Sequence, residues 1–113
     1  MRSDQAEAIV VFISAPNKEE ASRLAEMLVE KRLAGCVQIL AGVESVYRWQ
    51  GQIEREEEVL LIAKTLTGRF DELSREVTAL HSYETPEIVA LPIVSGSGPY
   101  LDWLMASVKP DSE

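Results

Sequence analysis

The sequence predicts an α+β fold, a ferredoxin-like βαββαβ sandwich with a long central hairpin and an added C-terminal helix. Three observations predict it: apolar β-branched runs that suit strands, two segments of helical period between them, and two long strand-like segments in the middle of the chain. The 113 residues fit one domain. We place it at residues 8–109, with a frayed tail at 1–7 and a second tail at 110–113.

The first strand is predicted over residues 8–13, where a continuous apolar run is typical of a strand buried on both faces. Asn17, with Glu20 three residues later, predicts a helix start of the capping-box type. Gly35 is the residue expected to stop this helix. The helix has one apolar face, formed by Ala21, Leu24, Ala25, Leu28 and Val29.

A long β-hairpin is predicted in the middle of the chain, with residues 36–49 paired to residues 53–66 around Gly51. The dipeptide Ala41-Gly42 predicts a bulge or bend in its first arm. An arm of this length spans roughly 46 Å, whereas a domain of this size has a diameter of roughly 35 Å. The tip is therefore expected to extend beyond the domain.

The hairpin tip carries apolar side chains that would form an aggregation-prone surface if they were left exposed to water. Burial against other copies of the chain would cover them, so the sequence favours an oligomer. The alternative is a hairpin that bends at Ala41-Gly42 and folds onto its own sheet. The residues concerned are Val43, Val46, Tyr47, Trp49 and Ile53.

The second half continues with a helix, a strand and a last helix. Thr67 is expected to cap the second helix, and residues 81–86 form the loop after it. Residues 87–94 form the last strand, where Pro92 favours an edge position or a bulge. Pro99 opens the final helix. The apolar stripes of the two helices are Phe70, Leu73, Val77 and Leu80, and Leu101, Leu104, Met105 and Val108.

The composition excludes several classes of function. The net charge of -8 disfavours nucleic acid as a partner, because an acidic surface repels phosphates. No segment approaches the ~20 apolar residues of a membrane span, so no membrane partner is expected. A single cysteine excludes an internal disulfide and suits a reducing compartment. Without a glycine-rich phosphate loop, a nucleophile elbow or a second histidine, we expect no enzymatic activity.

Several motifs stand out when they are read together: RLAGCVQI, SVYRWQGQIE, EVLLIAKT, LHSYETPEIVALPI and YLDWL. In combination they resemble the CutA family of divalent-cation tolerance proteins, over about residues 8–108. The resemblance implies a homotrimer whose hairpins extend to neighbouring subunits, a link to divalent ions, copper above all, and a cytoplasmic setting. It implies no catalytic activity. The family's architecture is similar to that of the PII signalling proteins.

The resemblance also carries over residue by residue. Cys36 matches the family's cysteine, and His81, Tyr83 and Glu84 match its H-P-Y-E segment. Glu87 completes its P-E pair, Lys64 ends its L-L-x-x-K-T strand, and Trp49 is the aromatic at its hairpin tip. Three departures are Gly35, where alanine is usual, Ser82, where proline is usual, and Arg48, where some members have a second tryptophan.

The candidate metal ligands are His81, Glu84 and Cys36. Neutral imidazole suits copper, nickel or zinc, and a thiolate is a soft ligand. Each has a plainer interpretation: His81 as a histidine at a helix C-terminus, Cys36 as a small buried apolar residue, and Glu84 as a solvated loop charge. No obligatory cofactor is expected, and the possible ion is Cu(II) or another divalent metal.

A second set of residues points to a small anionic ligand. Lys64 closes an apolar strand, and together with Tyr83, Glu84 and Glu87 it would line a cleft between subunits. Two functions therefore stand beside each other: a trimeric metal-response protein and a PII-like sensor of a small anion. In both, Val46, Tyr47 and Trp49 are expected at the trimer interface.

Overall fold

The computed structural model describes residues 7–109, so most of the first predicted tail and the whole of the second lie outside the described residues. The predicted fold class is confirmed: four antiparallel strands form one sheet in the order β2-β3-β1-β4, accompanied by three α-helices. The elements are β1 (Ala8–Ala15), α1 (Lys18–Glu30), β2 (Cys36–Trp49), β3 (Gln52–Leu66), α2 (Phe70–Leu80), β4 (Ile88–Pro92) and α3 (Gly98–Val108).

One face of the sheet forms the hydrophobic core with α1 and α2. Alternate residues of β1 and β3 point into it, because successive strand side chains face opposite sides. The other face carries Val10, Phe12, Leu60 and Ile62, which are only partly buried in the single chain. The core contains Val11, Ile13, Leu61 and Ala63 from the sheet, Leu24 and Leu28 from α1, and Leu73 and Val77 from α2.

The start of α1 is confirmed, but its end differs from the prediction. The Asn17 side chain accepts a hydrogen bond from the backbone N–H of Glu20 at 2.8 Å. The helix ends at Glu30, and Arg32 takes a left-handed conformation with φ of 58°. Gly35 therefore does not stop the helix. It lies against α3 instead, where an added Cβ would come within 2.7 Å of the Leu104 Cδ1 atom.

The start of α2, the length of β4 and the edges of the helix faces differ from the sequence prediction. Thr67 does not cap α2; it opens a short 3-10 turn, and its hydroxyl donates to the Glu7 carbonyl at 3.1 Å. The strand β4 covers only Ile88–Pro92, and it is an edge strand as Pro92 predicts. Helix faces are buried at their centres, whereas Val29, Leu80 and Met105 are exposed.

The hairpin is long and extended, as predicted. Pairing is interrupted between Leu40 and Val43, and Gly42 takes a φ of 81° at this bulge. Gln50 and Gly51 both have positive φ, as a two-residue hairpin turn of type I′ requires.

The hairpin does not fold back onto its own sheet. The molecule measures 48 Å along its longest axis, and its radius of gyration of 14.9 Å exceeds the ~13 Å of a compact domain this size. Val46 is 52% exposed, and Trp49 and Ile53 are each 60% exposed. The alternative of a hairpin bent over its own sheet is therefore wrong. Within residues 7–109, no helix has the length and apolar character to cross a bilayer.

Candidate functional site

The loop that follows α2 turns its histidine inward. His81 ends the helix, with its N–H bonded to the Val77 carbonyl at 2.8 Å, and its side chain is fully buried. The Nε2 atom lies 2.7 Å from the carbonyl oxygen of Ser14 on β1, and Nδ1 lies 3.0 Å from the backbone N–H of Tyr83. Because Tyr83 donates to Nδ1, the proton of the neutral ring sits on Nε2 and is donated to Ser14.

A buried carboxylate from α1 holds the same loop. Glu20 is 5% exposed, accepts a hydrogen bond from the backbone N–H of Ser82 at 2.8 Å, and lies 3.2 Å from His81 Nδ1. Burial alone would raise the pKa of Glu20, but the hydrogen bonds from Ser82, the positive charge that His81 carries when it is protonated, and the charge of Arg23 together lower it. Glu20 was missed as a site residue, because its position after Asn17 had marked it only as a capping residue.

Tyr83 reaches from the loop to the hairpin. Its hydroxyl donates to Glu58 Oε2 at 2.8 Å, while the Ser45 hydroxyl donates to Glu58 Oε1 at 2.7 Å. Burial first, and then the neighbouring Glu58 carboxylate, raise the pKa of Tyr83 well above its usual range. The phenol therefore remains a hydrogen-bond donor at neutral pH. Glu58 is buried while its neighbours Glu56 and Glu57 are exposed.

Two predicted site residues, Lys64 and Cys36, lie far along the sheet from the His81 loop. Lys64 and Cys36 are cross-strand neighbours, and the Lys64 ammonium donates to the side-chain oxygen of Gln38. At ~3.3 Å per residue, the Cα atoms of Lys64 and Glu58 on β3 are about 20 Å apart. Lys64 is thus remote from Tyr83 within one chain, and only different subunits can bring the two together. Cys36 is partly exposed.

The predicted metal ligands do not converge within one chain. Both ring nitrogens of His81 make internal contacts. Cys36 lies on β2, two strands from Ser14 on β1, and pairs with Lys64, which in turn pairs with Val10. Glu84 and Glu87 are exposed on the loop. Within residues 7–109, no group of three or more histidine, cysteine or acidic residues is placed to hold a metal ion. The residues of a single chain therefore do not fit a metal site.

The residues predicted at the trimer interface are exposed in the single chain. Tyr47 is 38% exposed, and a hydrogen bond with Glu56 is the main cause that raises its pKa. Alternation along β2 places Tyr47 and Trp49 on one side of the hairpin and Val46 on the other. Both sides of the hairpin thus offer apolar surface, and the interface role of these residues remains a prediction.

Comparison with known proteins supports the resemblance seen in the motifs. The family profile described as CutA1 divalent ion tolerance protein matches residues 9–107. The chain belongs to the CutA1 family. The divalent-cation tolerance protein CutA of Thermus thermophilus is 53% identical over 95 residues, covering 84% of this chain and 92% of that protein.

The family extends to longer proteins and to solved structures. The chloroplastic CutA protein of Arabidopsis thaliana is 44% identical over 102 residues, and the match covers 90% of this chain but 56% of that protein. The crystal structure of CutA1 from Oryza sativa superposes with a TM-score of 0.90 at 44% identity, covering 95% of this chain and 98% of that one. The CutA1 fold therefore applies to the described residues of this chain.

Proposed function

We propose that the protein is a non-catalytic homotrimer that takes part in divalent-cation tolerance and binds Cu(II), or a similar divalent ion, between its subunits. Membership of the CutA1 family is the observation that carries this proposal. The relative from Thermus thermophilus bears the name divalent-cation tolerance protein.

Two surfaces of the single chain support the assembly. The open sheet face and the hairpin arms carry many partly exposed apolar side chains, and a large exposed apolar patch marks an interaction surface. Both lateral edges of the sheet are open, because β2 and β4 are its outermost strands. Contact between copies would cover this surface and these edges at the same time. The half-exposed apolar side chains include Leu40, Val46, Trp49, Ile53, Val89 and Leu91.

The metal part of the proposal needs donors from more than one subunit, because one chain does not supply a site. Glu84 and Glu87 are exposed, and Cys36 is partly exposed, so all three are accessible from outside the chain. His81 would join them only after releasing Ser14 or Tyr83. Cu(II) stands highest in the affinity order of divalent first-row metals. A cytoplasmic setting would keep the Cys36 thiol reduced.

Light scattering and calorimetric copper titration of the purified protein test the proposal. We expect particles of three chains at micromolar concentration, and Cu(II) bound more tightly than Mg(II) or Ca(II). Glu84→Gln and Cys36→Ser should each weaken Cu(II) binding, whereas Glu57→Gln, on the exposed hairpin, should not. Particles of one chain would contradict the trimer, and equal affinity for Cu(II) and Mg(II) would contradict the metal role.

The second interpretation, a PII-like anion sensor, has less support. Its central pair, Lys64 and Glu84, is not formed within the chain, and Lys64 bonds to Gln38 instead. Nothing in residues 7–109 favours an anion at this position over the Gln38 contact. We therefore keep the metal-response trimer as the proposed function.

A further inference from the structure

The distal part of the hairpin, beyond Val43 on β2, is joined to the body of the domain through a β-bulge, where the ladder is irregular. At the bulge, Ala41 and Gly42 on β2 together face a single residue, Val59, on β3, because Leu40 pairs with Leu60 and Val43 with Glu58. Two residues opposing one disrupt the ladder and bend the strand. Gly42, with φ of 81° and no atom near its missing Cβ, places no steric limit on this bend. Pairing alone therefore leaves the angle of the distal arm poorly determined.

A buried hydrogen-bond cluster lies immediately beyond this bulge. Glu58 is the first paired residue of β3 on the distal side, and it is 9% exposed. Its two carboxylate oxygens accept from Ser45, on the opposite strand of the same arm, and from Tyr83, on the loop of the body. A buried carboxylate is costly unless it is hydrogen-bonded, so displacing Tyr83 would leave Glu58 with an unmet acceptor.

The loop that provides Tyr83 is itself fixed to the body at several points. The Tyr83 N–H donates to His81 Nδ1, the His81 ring donates to Ser14 on β1, and the Ser82 N–H donates to Glu20 on α1. The rings of His81 and Tyr83 also pack with their centroids 4.8 Å apart. The Tyr83 hydroxyl is thus held at a fixed place relative to β1 and α1, which makes it a reference point for the hairpin.

We propose that the Tyr83–Glu58 hydrogen bond is a latch that sets the angle of the distal hairpin arm, residues 43–56, and so positions this arm for the neighbouring subunit. Tyr83 acts here as a positioning residue that connects the His81 loop to the assembly. The statement that the latch positions the arm for a neighbouring subunit rests on the proposed trimer. The statement that the latch sets the angle of the arm concerns the single chain and stands by itself.

Hydrogen exchange measured by mass spectrometry, on the full-length protein, tests the latch. Tyr83→Phe removes only the hydroxyl, and a hydrogen bond to a charged group accounts for about a tenfold change in a local equilibrium. We expect exchange in residues 43–56 to accelerate about tenfold in this variant, while exchange in β1 stays as in the wild type. Tyr100→Phe, which removes a tyrosine hydroxyl from α3, is the matched control and should leave residues 43–56 unchanged.

Substitutions at Glu58 separate the hydrogen bond from the shape of the side chain. Glu58→Gln keeps one acceptor oxygen for Tyr83 but loses the charge, so exchange should lie between the wild type and Tyr83→Phe, whereas Glu58→Leu should behave like Tyr83→Phe. Unchanged exchange in residues 43–56 of Tyr83→Phe would overturn the latch. Equal acceleration in residues 43–56 and in β1 would also overturn it, because that result indicates a loss of global stability alone.

Mixing of isotopically labelled and unlabelled assemblies, followed by native mass spectrometry, tests the link to the neighbouring subunit. Tyr83→Phe should exchange subunits at least several-fold faster than the wild type. Accelerated hairpin exchange with unchanged subunit exchange would remove the link to assembly and keep the latch. A wild type that consists of single chains would remove the proposed trimer, while the exchange of residues 43–56 would still decide the latch.

Discussion

Replacement of His81 by alanine should destabilise the fold by about 3 kcal/mol. The substitution removes the hydrogen bond to the Ser14 carbonyl at 2.7 Å and the acceptor for the Tyr83 N–H at 3.0 Å. Each lost bond costs about 1 kcal/mol net, and the void left by a fully buried ring adds about another 1 kcal/mol. Glu20 would also lose its contact with His81 Nδ1 at 3.2 Å, so the loop at residues 81–86 should become less ordered as the fold becomes less stable.

A comparison with His81→Gln shows whether the histidine acts by structure or as a metal ligand. Glutamine can keep a donor near Ser14, so urea unfolding at a fixed chain concentration should show a loss of only about 1 kcal/mol. Copper titration of both variants adds a second readout. If His81 acts by holding the loop, Cu(II) affinity falls in His81→Ala and returns in His81→Gln. If imidazole is a ligand, both variants lose affinity.

A His81→Ala protein that unfolds at the same urea concentration as the wild type would show that the ring's internal hydrogen bonds contribute nothing to stability. The interpretation of the loop as a fixed element of the body would then be wrong, and with it the expected ordering of the two variants.

Three other substitutions should change stability or assembly. Glu20→Gln should cost about 1.5–3 kcal/mol at pH 7, because a buried carboxylate that accepts from Ser82 loses its charge. Since folding lowers the pKa of Glu20, the stability that its carboxylate contributes is complete above the unfolded pKa near ~4.3 and is lost as the pH falls through the lower folded pKa. The difference in unfolding free energy between wild type and variant, measured in urea, should therefore close in acid. A difference independent of pH would contradict this. Gly35→Ala should destabilise the protein by about 1 kcal/mol, because the new Cβ would come within 2.7 Å of the Cδ1 atom of Leu104, a fully buried side chain that has to move; unchanged thermal unfolding would show that this side chain moves without cost. Trp49→Asp should lower the mass measured by light scattering more than Glu57→Lys, because only the first places a charge in the predicted interface; equal effects would exclude Trp49 from it.

Most of the fold was predictable because local signals agree with the final contacts. The apolar run of β1 lies at an interior position of the sheet, and the Gln50-Gly51 turn with the bulge at Gly42 lies where the pattern indicates. The errors arose where one residue type serves several purposes. Gly35 is an ordinary helix-stop signal, yet its role depends on the approach of α3, which local sequence does not encode. Thr67 is an ordinary cap, yet its hydroxyl bonds to Glu7 before β1.

The candidate site was less predictable, because its residues act across long distances in sequence. His81 contacts Ser14 at a separation of 67 residues, and Ser82 contacts Glu20 at a separation of 62. A histidine followed by a tyrosine and acidic residues has the composition of a metal site. The structure directs the histidine and the tyrosine into the protein, where they satisfy buried polar groups. The contacts with Glu20 and Glu58 distinguish a buried hydrogen-bonded cluster from a metal site, and the sequence alone does not reveal these contacts.

The two buried carboxylates explain why the loop must be tested with a stability measurement beside every binding measurement. Glu20 anchors the loop to α1, and Glu58 joins it to the hairpin, so His81, Ser82 and Tyr83 together connect three elements. A substitution in this loop can move the hairpin, and therefore the surfaces of neighbouring subunits, without removing any metal ligand. Loss of copper binding in a loop variant identifies a ligand only if hydrogen exchange in residues 43–56 is unchanged in the same variant. Glu84 is exposed on this loop. Its substitution should therefore show most clearly whether copper binding is lost through removal of a ligand or through movement of the hairpin.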